Sequence, residues 1–209
     1  MTNKQLYAQF CESNPDLPLF MRDWWLDAVC AGKQWDAFIE KDANGEICAA
    51  LPYLFRTRAR MDYIVMPQMT QIGGLWLRND IRNDAQAVKR VCASLNEQLL
   101  SLKLCYYYQQ YPLHSIAPQA MQELGFKLTK RITYRIEDLT DLDKVINAFS
   151  KNKKRQLQKA LSLHVDRDLS VEDFYRFHVQ CLQELGKQIS YSREFLLVLE
   201  RKAKRLNQC

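Results

Sequence analysis

Residues 35–58 contain the feature that most constrains the fold, a hairpin signal made of two alternating runs around Asn44-Gly45. The stretch reads WDAFIEKDANGEICAALPYLFRTR, and apolar side chains recur at every second position on both sides of the dipeptide. Asn-Gly is a preferred hairpin turn because both residues tolerate positive φ. The pattern therefore predicts two antiparallel strands, each with one face turned toward a core.

Three helices are predicted in the first 140 residues. Residues 18–31 have apolar side chains at near-helical spacing, and Pro18 suits the first helical position. Residues 84–102 form a strongly amphipathic pattern, and residues 118–124 form a shorter one that ends before a glycine.

Further strands are predicted between and after these helices. A loop containing Gly73-Gly74 leads into a short strand, and the aromatic run LCYYYQQYP at residues 104–112 is typical of a central strand. The alternating stretch FKLTKRITYRIEDL at residues 126–139 predicts another strand. Its expected buried face consists of Leu128, Ile132, Tyr134 and Ile136.

Beyond about residue 140 the pattern changes to successive helices. Ser170 with Asp173 resembles a capping box, and Ser192 is predicted to cap the last helix. The predicted fold class is therefore α+β, with a mixed sheet flanked by helices and followed by a mainly helical C-terminal segment.

Composition supports a packed core and argues against several classes of protein. Hydrophobic residues make up 47% of the chain, and the net charge of +6 is too small to identify a nucleic-acid binder by itself. The seven cysteines contain no CxxC pair, which argues against a zinc site or a disulfide framework. No apolar run reaches the length of a signal-peptide core or a membrane span, so we expect a cytoplasmic protein.

The stretch FSKNKKRQLQKALSLHVD, residues 149–166, places cations at the predicted start of a helix. Lys151, Lys153, Lys154 and Arg155 stand near a helix N-terminus, where each exposed cation costs about 0.3–1 kcal/mol. In one interpretation their methylene stems cover apolar surface while the charged groups reach water. In the other, a phosphate binds the free backbone N–H groups of the helix start together with these side chains. The sequence leaves both interpretations open.

Other chemistry is weakly signalled. The three histidines are far apart in the sequence, no nucleophile stands beside any of them in a known motif, and no Walker or Rossmann glycine loop occurs. We identify no catalytic residue and no metal ligand. A possible pocket is assigned to Gln71, Gly73, Gly74, Tyr108 and Tyr191.

The order of these elements, together with three short motifs, resembles the FemABX-like branch of the GNAT acyltransferases. The motifs are Gly125-Phe126, Thr133-Tyr134-Arg135-Ile136-Glu137 and Lys154-Arg155-Gln156-Leu157-Gln158-Lys159-Ala160. Members of that branch look like two GNAT-like domains in tandem. The resemblance therefore implies a GNAT-like N-terminal domain over residues 1–140 and the helical start of a second, incomplete domain over residues 141–209.

The resemblance also implies an activity, the transfer of an acyl or aminoacyl group onto an amine. The implied donor is acyl-CoA or aminoacyl-tRNA, and both carry phosphates that suit a basic helix start. GNAT domains hold the cofactor pyrophosphate in a loop of the type Gln/Arg-x-x-Gly-x-Gly/Ala, which this sequence lacks. The second predicted domain also ends before the central strands at which the resemblance places the acyl donor. We therefore expect either a chain truncated in that domain or one that keeps the start of the fold and lacks its chemistry.

Two other functions remain open at this stage. The basic cluster and the basic final helix would also suit a non-enzymatic RNA-binding module. Alternatively, the chain is a partner-binding module whose final helix exposes Leu196, Leu197 and Val198, which would promote homo-oligomers.

Overall fold

The structure, a computed structural model, describes residues 1–30, 34–113, 115–166 and 168–206. Its strands are β1 Trp35–Lys41, β2 Ile47–Arg58, β3 Met61–Val65, β4 Trp76–Leu77 and β5 Tyr106–Tyr107. Its helices are α1 Asn3–Ser13, α2 Asp23–Cys30, α3 Asn79–Arg82, α4 Ala85–Ser101, α5 Ala117–Glu123, α6 Leu142–Ala148, α7 Lys151–Ala160, α8 Val171–Glu184 and α9 Arg193–Arg205. The predicted α+β class is confirmed, and the predicted helix end at residue 31 lies outside the described residues.

The predicted hairpin is confirmed as β1 and β2. The two strands pair antiparallel, with Phe38 opposite Leu51 in the register. The Asp42 carboxylate holds the turn by accepting hydrogen bonds from the backbone N–H groups of Asn44 and Glu46, at 2.9 and 3.0 Å. Gly45 has a φ of +82°, the left-handed conformation that favours glycine.

The sheet is mixed, with strand order β1-β2-β3-β5 and β4 paired to β2. The pairs within β1-β2-β3 are antiparallel, whereas β5 lies parallel to β3 after the chain has passed through α4. The prediction of a central aromatic strand is wrong, because β5 ends the sheet path and pairs over only two residues. A parallel pair requires a long crossover, which α4 supplies.

Two buried clusters cover the two faces of the sheet. On one face, α1, α2 and α9 pack through residues such as Tyr7, Trp25 and Phe195. On the other, α4 and α5 contribute a second set, which includes Val88, Cys92, Leu95, Ala120 and Met121. Helix α4 was predicted over 84–102 and is confirmed, with the Asp84 side chain accepting the N–H groups of Gln86 and Ala87.

The packing of α9 contradicts the expectation of an exposed final helix. Leu196 is only 8% exposed and belongs to the same buried cluster as Trp25 in α2. Leu197 and Val198 are half-buried. The Leu196 side chain is covered because α9 packs against α2. These two helices are far apart in the sequence, and helical periodicity does not reveal such a contact.

The prediction of a strand over residues 126–139 is wrong in this structure. The segment has no secondary structure, and Ile132 and Tyr134 are 88% and 96% exposed. Alternating side chains alone do not make a strand, because the backbone needs a hydrogen-bonded neighbour. No described strand pairs with this segment.

Residues from 142 to 184 form helices with few buried side chains. Helices α6, α7 and α8 contain no buried residue, although the Ser170 and Ser192 side chains cap α8 and α9 as predicted. The division of the chain at residue 140 stays a prediction. Among the described residues, no helix combines the length and the apolar character needed to cross a membrane.

One carboxylate of α2 contacts residues of three other elements, α1, β1 and α9. Asp27 in α2 accepts hydrogen bonds from the Trp35 indole at 2.9 Å and from the Lys4 ammonium at 3.0 Å, and Lys202 of α9 lies 3.5 Å away. Burial raises the pKa of Asp27, but the hydrogen bonds from Trp35 and Lys4 outweigh it, so the net pKa is lowered. The charged form therefore stabilises the folded state.

We predict that Asp27→Asn lowers the free energy of unfolding at neutral pH by about 1 kcal/mol, a modest loss because the carboxylate is partly exposed. The stabilisation is present above the unfolded-state pKa of about 3.9 and is lost as pH falls through the lower folded-state pKa. Urea unfolding of both proteins at neutral pH and in acid measures this difference.

The exposed Asp16 provides the control. Asp16→Asn is expected to change the free energy of unfolding by no more than about 0.5 kcal/mol, both at neutral pH and in acid. An equal loss for Asp27→Asn at both pH values would contradict the role of its charge.

Candidate functional site

The candidate site lies where the parallel strands β3 and β5 end. Tyr63 pairs with Tyr106 and Ile64 with Tyr107, and the N–H of Tyr108 continues the pairing with a 2.9 Å hydrogen bond to the carbonyl of Ile64. Beyond that point the two strands lead into residues 66–74 and 108–111, which we call the strand-end site. Ligands commonly bind beyond the carboxyl ends of parallel strands, where the loops diverge.

The loop of residues 66–74 is anchored on α2 by a buried hydrogen bond. The Trp25 indole N–H donates to the Thr70 hydroxyl at 3.0 Å, and that hydroxyl donates to the carbonyl of Gln68 at 3.2 Å. Thr70 is 8% exposed, and among the described residues it is the buried polar side chain of the structure. A buried Trp needs a partner for its N–H, which explains a Thr at this position.

Gly73 and Gly74 bring this loop against the segment that follows β5. The N–H of Gly73 donates to the carbonyl of Gln110 at 2.8 Å. Gly74 has a φ of +81°, and a Cβ there would lie 2.7 Å from Cδ1 of Tyr111. The Tyr111 ring therefore occupies the space that a side chain at position 74 would need.

Tyr108 presents a hydroxyl at the same place. Its oxygen accepts a hydrogen bond from the Gln110 amide at 2.8 Å, and its ring stacks on that of Tyr106 with the centroids 6.4 Å apart. The Tyr108 O–H has no acceptor among the described residues and is available to donate to a ligand. The Gln109 amide donates to the carbonyl of Pro52 at 3.4 Å.

Two further phenols lie at the strand-end site, that of Tyr107 in β5 and that of Tyr111. The hydroxyls of Tyr107 and Tyr111 are 3.4 Å apart. Burial raises the pKa of Tyr107 well above its ordinary value and that of Tyr111 to about 12. Both phenols therefore stay protonated near neutral pH and act as hydrogen-bond donors or acceptors, not as bases.

Tyr191 is connected to the strand-end site through its neighbour. The Gln68 amide donates to the carbonyl of Ser190 at 2.8 Å, and the Tyr191 hydroxyl lies 2.6 Å from Nδ1 of His178. Burial raises the pKa of Tyr191, with a smaller contribution from the neighbouring Tyr175. The segment before α9 thus borders the loop that carries the predicted glycines.

The structure therefore gathers most of the predicted pocket residues. Gly73, Gly74 and Tyr108 belong to one set of contacts, and Gln71 is an exposed residue of the same loop. The sequence interpretation missed five residues that position them, because their partners are distant in sequence: Gln68, Thr70, Gln110, Tyr111 and His178.

The basic cluster lies apart from these contacts. Lys151, Lys153 and Arg155 are exposed, and Lys154 is half-buried. Within the described part of the chain, these four side chains make no ion pair or hydrogen bond, and α7 packs extensively on no other element. The Ser150 side chain caps the helix by accepting the N–H of Lys153 at 3.4 Å. The role of this cluster stays a prediction.

Two open grooves lie elsewhere on the surface. One, of about 730 Å³, runs between α1 and the β4–α3 segment, and its lining includes Phe10, Trp76 and Arg78. The other, of about 680 Å³, lies beside Trp35 and Asp27. Neither is lined by a residue that the sequence assigned to a site.

No protein-family model and no curated protein matches the sequence. Among solved structures, the chain is similar to an aminoglycoside 6'-N-acetyltransferase from Acinetobacter baumannii, with 13% identity, a TM-score of 0.37, and coverage of 66% of this chain and 95% of that one. It is also similar to a ribosomal-protein-alanine N-acetyltransferase from Brucella melitensis biovar Abortus, with 11% identity, a TM-score of 0.37 and coverages of 65% and 92%. A third similar structure is a glucosamine-6-phosphate N-acetyltransferase from Arabidopsis thaliana. Its identity is 10% and its TM-score 0.37, and the match covers 66% of this chain and 95% of that one. Similarity at this level does not determine the function, which must be inferred from the residues of this chain.

We predict that Thr70→Val lowers the free energy of unfolding by about 1–3 kcal/mol, because the buried Trp25 N–H loses its acceptor while the side-chain volume is nearly kept. Chemical denaturation measures the change. Thr57→Val is the matched control, since the Thr57 hydroxyl bonds the Asp62 carboxylate at an exposed position. A loss no larger than the control's would show that Trp25 finds another partner.

We predict that Gly74→Ala lowers the free energy of unfolding by about 3 kcal/mol. The new Cβ would clash with Tyr111, and alanine would also be strained in a left-handed conformation. Gly45→Ala separates the two effects: Gly45 has nearly the same φ, and nothing lies within 4 Å of its Cβ position. That control is expected to cost about 1 kcal/mol. Equal unfolding free energies for the two variants would contradict the close approach of Tyr111.

Proposed function

We propose that this chain is an N-acyltransferase of the GNAT type, of its FemABX-like branch, or the N-terminal part of such an enzyme. The observation that carries the proposal is the strand-end site, where the sheet changes from antiparallel to parallel pairing. A mixed sheet with a parallel pair at one side offers diverging loops beyond its strand ends, the usual place for a ligand in such folds.

The side chains of the strand-end site suit acyl transfer in a specific way. In that reaction an amine nitrogen attacks the carbonyl carbon of a thioester or ester, the bond to sulfur or oxygen breaks, and the leaving group takes up the proton that the amine releases. A positioned hydrogen-bond donor stabilises the charge that develops on oxygen or on the leaving group. The Tyr108 O–H, whose oxygen already accepts from Gln110, is such a donor.

A phosphate-bearing donor substrate supplies the second part of the proposal. Lys151, Lys153, Lys154 and Arg155 of α7 make no ion pair among the described residues, and no acidic residue lies in the first turn of the helix. A phosphate bound there would reverse the sign of the electrostatic cost at the helix start. Acyl-CoA and aminoacyl-tRNA both provide this group, and the experiment below distinguishes them.

An RNA-binding module is the second candidate function. The exposure of Lys151, Lys153 and Arg155 on a helix with few other contacts favours it, because nucleic-acid backbones bind such solvent-facing cations. This function needs no contribution from the strand-end site.

The test measures binding of CoA and, separately, of tRNA to the full chain by calorimetry. We expect the variant K153A/K154A/R155A to weaken binding of the preferred ligand at least about tenfold, since each charge-assisted contact to phosphate is strong. Excess inorganic phosphate should compete with the ligand. The variant R56A/R58A/R60A removes the same charge from exposed positions at the β2–β3 turn and should bind as the original chain does.

The outcomes separate the candidates. Unchanged affinity in K153A/K154A/R155A would remove the basic cluster from the site, and no binding of CoA or tRNA would overturn the acyltransferase proposal. Binding of tRNA no tighter than that of an unrelated RNA of equal length, with a steep linear dependence of log affinity on log salt, would favour the RNA-binding module.

A further inference from the structure

The segment of residues 127–137 has no secondary structure, is mostly exposed and has no backbone partner among the described residues. None of its backbone N–H or carbonyl groups bonds another backbone group among the described residues. Three of its apolar side chains are open to solvent, with Ile132 88%, Tyr134 96% and Ile136 50% exposed, and Leu128 is half-buried. Isolated exposed apolar residues are ordinary, but an alternating row of them on an unpaired backbone has the pattern of a strand that lacks a neighbour.

We propose that this segment pairs antiparallel with the same segment of a second copy of the chain, in the register centred on Ile132. In that register Ile132 faces Ile132 of the second copy, and each residue faces the one whose number adds with its own to 264. The pair is closed by a two-fold axis, so that both copies present the same surface. The sequence itself supplies the reason to choose this occupant and this register.

The apolar face of the segment is complementary to itself in this register. Leu128 lies opposite Ile136 of the second copy, so that two apolar pairs flank the central pair of Ile132 side chains. Lys130 lies opposite Tyr134 of the second copy, where its ammonium can lie over the aromatic ring. Such cross-strand neighbours are the main source of sheet stability.

The opposite face adds complementary charge at both ends. Lys127 lies opposite Glu137 of the second copy, and by symmetry this pair occurs twice. Within one chain Glu137 lies 3.3 Å from Arg135, and both side chains are largely exposed, so this contact is weak and easily exchanged. A shift of the register by two residues would remove the lysine–glutamate pairs from both ends.

The association is expected to be weak and strengthened by salt. A two-stranded ribbon is marginal by itself, although the exposed Leu139 and Leu142 continue the apolar surface along the chain. The segment carries four cations and one carboxylate, so two copies repel each other through their net charge. Salt screens that repulsion, and the dimer should tighten with ionic strength. Phosphate or RNA binding has the opposite salt dependence, so this inference is independent of the proposed function.

Sedimentation velocity of the full chain over a concentration series tests the proposal. We expect a monomer–dimer equilibrium with a dissociation constant in the micromolar range. Lys127→Glu alone and Glu137→Lys alone should each raise that constant about tenfold or more, because each puts two like-charge pairs into the dimer. Mixing the two variants should restore dimers, since the heterodimer again pairs opposite charges at both ends.

Lys41→Glu and Glu12→Lys provide matched charge reversals at exposed positions outside the segment, and neither they nor their mixture should change the equilibrium beyond the effect of net charge. Because residues 127–137 lie outside the buried clusters, the variants should unfold at the same denaturant concentration as the original chain. A chain that stays monomeric at all concentrations would overturn the proposal. A dimer that K127E and E137K leave intact, or that their mixture fails to restore, would overturn it equally.

Discussion

Strand β2 is the constraint on which the rest of the structure depends. It is 12 residues long, and it pairs with β1, β3 and β4, so most of the sheet is registered against one segment. Its residues from Cys48 to Leu54 are all buried, which is possible only because helices cover both faces of the sheet. The positions of α1, α2 and α9 on one side and of α4 and α5 on the other follow from the need to bury this strand.

Local signals account for the elements that the sequence predicted. The β1–β2 hairpin was predicted from alternation around Asn44-Gly45, and α4 from amphipathic spacing with an aspartate cap. Each of these signals lies within the element that it predicts. Helix α1 was missed although Thr2 and Gln5 form a capping box, because its apolar stripe is short. The edge position of β5 and the unpaired state of residues 126–139 depend on which neighbours are present, and one chain's periodicity carries no information about that.

The candidate site shows the same division between local and distant information. Gly73, Gly74 and Tyr108 were predicted from their residue types. In the structure the Tyr111 ring contacts Gly74, and the Gln110 amide donates a hydrogen bond to the Tyr108 hydroxyl. The bond from Trp25 to Thr70, which holds their loop, spans 45 positions and could not be foreseen from either residue. The cations of α7 were predictable as a cluster, but the sequence does not show that they share no contact with the strand-end site.

The contact between α9 and α2 has a consequence for synthesis of the protein. Phe195 and Leu196 complete the core beneath α1, α2 and β1, so that face of the sheet cannot close until almost two hundred residues have been translated. Until α9 has been synthesised, the apolar surface around Trp25 that α9 buries is exposed to solvent. The nascent chain should therefore bind chaperones that recognise exposed apolar segments. Early release from the ribosome would therefore favour aggregation over a stable, smaller domain.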